Sequence, residues 1–135
     1  MQERTFSAVI ESIPLVTAWI DEQLEQLNCP MKVQMQFDMA IDEIFGNIAY
    51  YAYRGKIGSA KVQLALQEDT RMLSITFIDQ GIPFNPLSQK EPDTSLKAEK
   101  RKIGGLGIFL VKKIMDEVSY QYRDGHNILC LKKHI

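Results

Sequence analysis

Cysteine is scarce in this chain: Cys29 and Cys130 stand far apart and in no metal-ligand spacing. A disulfide framework is thereby excluded, and a zinc site would have only His126 and His134 to complete it. We read both cysteines as reduced, small core residues of a reducing compartment. Charge of one sign is lacking too. Sixteen Lys and Arg face 17 Asp and Glu, for a net charge of −1. That leaves no electrostatic footprint for nucleic acid or for an anionic membrane. Long apolar runs are missing, and none approaches the ~20 residues that a membrane span needs. The opening MQERTF is charged and lacks the apolar centre of a signal peptide. The expectation is a cytoplasmic protein with neither nucleic acid nor membrane as partner.

What is present is ordinary for a soluble globular protein: 135 residues, 45% hydrophobic and 24% charged, with no internal repeat. One domain over residues 1–135 is long enough to bury a real core. Arg4 to Ile10 reads as a first strand. Ser12 is a plausible N-cap, with Pro14 tolerated in the turn after it. Ile13, Val16, Ile20, Leu24 and Leu27 then share one helical face, which Asn28-Cys29-Pro30 ends. A second helix is predicted from about Lys32 to Tyr53, with Val33, Phe37, Ile41, Ile44, Ile48 and Tyr51 on its apolar stripe. KVQLALQ and MLSITFID alternate as strands, and Glu68-Asp69-Thr70 between them suggests a hairpin. Asn85 to Ile103 is a polar segment, long for a structureless loop and therefore a candidate lid, binding loop or disordered segment. A third helix carries Ile108, Val111, Met115 and Val118, and a last hairpin turns at Asp124-Gly125. The economical arrangement is an α/β (α+β) two-layer sandwich, a mixed or antiparallel sheet covered on one face by about three helices.

Three stretches could carry chemistry. Glu43 and Asn47 are spaced i, i+4, one turn apart and flanking the apolar stripe. Such a carboxylate could accept a proton, and the amide oxygen could complete the shell of a hard cation. On spacing alone, a solvated Glu and a surface Asn is the plainer reading. Gly46 between them costs about 0.8–1.0 kcal/mol against alanine, which implies close packing or close ligand approach. Asp79 shares strand parity with Leu73, Ile75 and Phe77, so it should face the helices, where an unpaired carboxylate is costly. A purine amine could satisfy it, and Gly81 would let the backbone come close to a flat ring. A strand-ending Asp that caps a turn is the default alternative. Gly104, Gly105 and Gly107 open the third helix. They follow a long polar loop and no Gly-Lys-Ser/Thr is present, so neither the dinucleotide fingerprint nor the Walker loop fits. A hinge, or a nest of N–H groups for phosphate oxygens, remains; Arg101 and Lys102 lie just upstream.

In that order, Glu-x-x-x-Asn on a helix, Asp-x-Gly-x-Pro-Phe after a strand, and Gly-Gly-Leu-Gly before a helix resemble the GHKL ATPase superfamily. IDQGIPFNP and GGLGIFLVKKIMDEVSY are most similar to bacterial anti-sigma-factor serine/threonine kinases. The resemblance runs over essentially the whole chain. It implies a Bergerat-type sandwich holding ATP and Mg²⁺ under a mobile lid. Glu43 would be the catalytic base, Asn47 the magnesium ligand, Asp79 the partner of the adenine amine, and Gly81 would shape the adenine pocket. Gly104, Gly105, Leu106 and Gly107 would lie at the phosphates. The implied substrate is a small anti-anti-sigma-type protein, with a sigma factor as candidate second partner and a homodimer as the assembly. Two departures stand out: Tyr51, which helical phase assigns to the core, where family members often carry histidine, and Gly46, where they carry something larger. A nucleotide-responsive binding module without efficient transfer is the alternative, as is a histidine-kinase-like ATPase domain. Glu43 and Asn47 together favour the enzyme, because a pure binder needs no base.

Overall fold

The computed structural model describes residues 1–88 and 105–135. Five strands form one antiparallel sheet, β1 (Gln2–Ser7), β2 (Ser59–Gln67), β3 (Met72–Asp79), β4 (Glu117–Arg123) and β5 (His126–His134), in the order β1-β2-β3-β5-β4. Three helices, α1 (Ile13–Gln26), α2 (Met31–Asn47) and α3 (Gly105–Ile114), make the second layer. This is the two-layer α+β sandwich expected, with every strand pair antiparallel.

Strict alternation builds the core. Val62 and Leu64 on β2, Leu73, Ile75 and Phe77 on β3, and Leu129 and Leu131 on β5 are buried against Val16, Ile20 and Leu24 of α1 and Phe37, Ile41, Ile44 and Phe45 of α2. Each such side chain contributes about 1.5–3 kcal/mol relative to its exposed state. The hairpin turn at Asp124 and Gly125 has φ of 53° and 79°, the doubly positive pair that a two-residue turn requires.

Local details depart from expectation. β1 ends at Ser7, and a 3-10 turn at Ile10–Ser12 leads into α1. Ser12 is therefore already helical (φ −78°, ψ −18°) and its side chain makes no capping bond. α3 ends at Ile114, so Val118 belongs to β4 and not to the helix. The second helix does not run regularly to Tyr53. It widens into a π-turn at Ile48–Ala52, whose extra residue per turn rotates the side chains that follow. Tyr51 is consequently 40% exposed instead of buried, and packs on Phe84 with ring centroids 5.3 Å apart. Of the segment expected to be a lid, Asn85 to Ser88 is described and contains a 3-10 turn, Pro86–Ser88; the remainder lies outside the described residues.

Asp21 and Asp38 face each other across the seam between α1 and α2, each with a buried oxygen that has no partner among the described residues. Burial first, and the neighbouring Asp21 second, push the Asp38 carboxyl up to about 7 from its ordinary 3.8. Cys29 lies close by, with Arg71 beside it. Between those two values the folded chain holds a proton that the unfolded chain releases, so stability falls as pH rises through that window. Asp38→Asn should therefore raise the melting temperature at pH 8 and change it little at pH 4. Solvent screening keeps the gain to about 1 kcal/mol or less. Thermal unfolding at the two pH values measures it, and equal shifts at both would contradict the shared-proton account.

Candidate functional site

A pocket enclosing about 400 Å³, part of it open to solvent, lies between the C-terminal half of α2 and the ends of β3 and β5. Its walls are apolar, from Ile44 and Ile48 on the helix side, Phe77 and Leu129 on the sheet, and Ile82 and Phe84 after β3. Four polar side chains join them: Asn47, Asp79, Tyr120 and Asn127.

Asp79 sits where strand parity placed it, facing the helices and 5% exposed. Its Oδ1 accepts the Gly81 N–H at 2.9 Å and the Asn127 side-chain amide at 2.9 Å. Its Oδ2 has no hydrogen-bond partner among the described residues. Gly81 serves the turn itself. A Cβ there would run into the backbone of Ala52, and the adjoining Ile82 N–H donates to the Ala52 carbonyl at 2.9 Å. The loop after β3 is thus pinned to the end of the π-turn, and that close approach admits glycine alone.

Glu43 stands one turn before Asn47 and looks toward α3. Its Oε1 is buried without a partner among the described residues. A Cβ on Gly107 would overlap its carboxylate, so the glycine leaves the space that the carboxylate fills. Burial, the main cause, raises the Glu43 pKa above its ordinary 4.5; the Asn47 amide pulls it down, and Asp42 adds a smaller upward push. A half-buried carboxylate with an unpaired oxygen and raised proton affinity is poised to take a proton.

The structure thus brings Asn47 and Asp79 to one pocket and sets Glu43 against Gly107. Gly105 and Leu106 open α3, and Gly104 lies outside the described residues. Of the two readings of Gly46, close packing does not hold, since a Cβ there would meet nothing within 4 Å. Among the described residues no cluster of three His, Cys, Asp or Glu could hold a metal. No described helix is long and apolar enough to cross a membrane. Sequence reasoning missed Asn127 and Tyr120. The signal for Asn127 lay in strand parity, because it alternates with Leu129 and Leu131 and so must face inward.

Known proteins resemble this chain in sequence. The chain is 26% identical over 116 residues to the serine/threonine-protein kinase BtrW of Bordetella bronchiseptica, across 86% of this chain and 81% of that protein. It is 30% identical over 99 residues to the serine-protein kinase RsbW of Listeria monocytogenes, across 70% of this chain and 62% of that one. Against RsbW of Bacillus mycoides it is 30% identical over 98 residues, across 70% and 60%. It therefore spans somewhat under two thirds of those two RsbW proteins. The histidine kinase-like ATPase domain matches from Phe6 to Lys133, from the end of β1 through all three helices to the penultimate residue of β5. On that extent of agreement, the chain belongs to the histidine kinase-like ATPase family of the GHKL superfamily.

Proposed function

We propose that the protein binds ATP with magnesium and phosphorylates a serine or threonine of a small anti-anti-sigma-type protein, so controlling which partner it holds. One observation carries this reading: two residues a single turn apart on α2 serve two adjoining places. Asn47 lines the pocket that holds Asp79, while Glu43 keeps its unpaired oxygen beside Gly107. The apolar walls and the Asp79 Oδ2, unpartnered among the described residues, suit a flat base bearing an exocyclic amine. The Asn47 amide oxygen can contribute to the shell of a hard cation that takes its other ligands from phosphates and water. When bound, ATP supplies the phosphoryl group and magnesium offsets the charge on its phosphates.

In the transfer, the partner's hydroxyl oxygen forms a bond to the γ-phosphorus. The bond from that phosphorus to ADP breaks, and ADP leaves with the electron pair. Glu43 takes the hydroxyl proton. Its raised proton affinity makes it a better acceptor than an ordinary surface carboxylate. The names of the relatives, serine/threonine-protein kinase and serine-protein kinase, support a hydroxyl-bearing protein as acceptor.

The test is transfer of labelled γ-phosphate to small proteins encoded beside the gene. Label on a serine or threonine supports the kinase; nucleotide binding without transfer replaces it with a nucleotide-responsive binding module. Asp79→Asn should weaken ADP binding by about 1.5–3 kcal/mol, or roughly 10- to 150-fold, through loss of a charged hydrogen bond in a buried site. Titration calorimetry measures this. Unchanged affinity would remove Asp79 from base recognition.

A further inference from the structure

We infer that Asn127, backed by Tyr120, is a positioning residue that holds Asp79 in one orientation and thereby sets which base the pocket accepts. The inference rests on the nucleotide-binding reading and deepens it.

Antiparallel register places Asn127 directly opposite Asp79, the last residue of β3. Its side chain is 6% exposed and fully engaged. The amide nitrogen donates to Asp79 Oδ1 at 2.9 Å and to the Ile82 carbonyl at 2.8 Å, with the Gly81 carbonyl at 3.5 Å. The amide oxygen accepts the Phe84 N–H at 3.1 Å and the Tyr120 hydroxyl. A carboxamide has two N–H donors and two lone pairs, and all four are used here. The orientation of the amide is also settled. Turned over, it would set an oxygen against a carboxylate and a carbonyl, and an NH₂ against an N–H donor.

Two consequences follow. Asn127 has no polar valence left for a ligand, so it can influence recognition only through what it holds. What it holds is the Asp79 carboxylate, fixed at Oδ1 by two donors, while Oδ2 has no partner among the described residues. An ionised carboxylate oxygen has lone pairs and no proton. It therefore selects a base with an amino group and rejects one with an oxo group at the same position, provided that it cannot rotate away. The same amide ties down Ile82 and Phe84, two residues of the pocket wall. Tyr120 completes the bracket from β4.

The experiment compares ADP with IDP, which carries an oxo group where ADP carries the amine, by calorimetry on the full chain. Wild type should prefer ADP. Asn127→Ala should reduce that preference about tenfold, the equivalent of one hydrogen bond to a charged group. Tyr120→Phe keeps the ring and should reduce it severalfold. A merely structural role would weaken both nucleotides equally and leave their ratio unchanged. Asn127→Asp gives a second readout that does not depend on stability. Two carboxylates at about 3 Å share one proton, and with that proton the donor to Asp79 is restored. ADP affinity should then fall about tenfold in this variant as rising pH removes that shared proton. If wild type prefers ADP while no variant changes the ratio and Asn127→Asp titrates like wild type, the positioning role is overturned and the nucleotide reading stands. If wild type binds neither nucleotide, both are overturned.

Discussion

Glu43→Gln is expected to lower phosphoryl transfer by about 10²–10⁴-fold, the usual contribution of a general base, while ADP affinity stays nearly unchanged. The substitution keeps the size of the side chain and its place beside Gly107, and removes only the ability to take a proton. Glu43 does not line the pocket that holds Asp79, so the anchors of the base are untouched. Wild-type transfer should also fall on the acid side as Glu43 becomes protonated. Burial raises its pKa, so this limb should lie above the ordinary 4.5. Asn47→Ala makes the contrast one turn away: it should weaken ATP binding in the presence of magnesium and affect magnesium-free binding little. Single-turnover transfer, read beside calorimetry for each variant, separates the two. If Glu43→Gln transfers at the wild-type rate, the base lies elsewhere.

That Glu43 and Asn47 fall on one face of one helix was legible from spacing, because i, i+4 positions share a face whatever the tertiary fold. Asp79 was equally legible. Three apolar residues of matching parity preceded it, and a period of two carries one inward residue to the next. What the spacing could not reveal was the company these residues keep. β5 lies between β3 and β4, and this long-range pairing leaves no mark in local periodicity. Only the resulting register brings Asn127 opposite Asp79. A lone inward Asn among leucines reads as an imperfection of the strand until its neighbour is known.

Tyr51 shows the converse failure. Its helical phase was read correctly for an α-helix and wrongly for this chain, because the turn at Ile48–Ala52 is a π-turn. One added residue per turn is a local hydrogen-bond choice that side-chain pattern does not encode. It rests on tertiary contacts, among them the Ile82 N–H at the Ala52 carbonyl and Gly81 against the Ala52 backbone. The glycines show the same limit. Gly81, Gly107 and Gly46 look alike in sequence, yet two are needed to let a neighbour approach and the third has open space beside it.

Gly107→Ala should separate activity from stability in opposite directions. Gly107 is the third residue of α3, where alanine is the better helix former by up to about 1 kcal/mol. The added methyl would overlap the Glu43 carboxylate, the far end of a flexible side chain, which can swing aside. The fold should therefore lose little or even gain, and the melting temperature should stay level or rise. Catalysis should suffer, because a base displaced by about 1 Å can cost on the order of 10²-fold in rate. The effect is expected to act through Glu43, and a double-mutant cycle tests that directly. In a Glu43→Gln background, Gly107→Ala should remove little further transfer, since no proton acceptor remains to be misplaced. Full additivity of the two losses would mean that Gly107 acts on the phosphates or on α3 itself, independently of the carboxylate it faces.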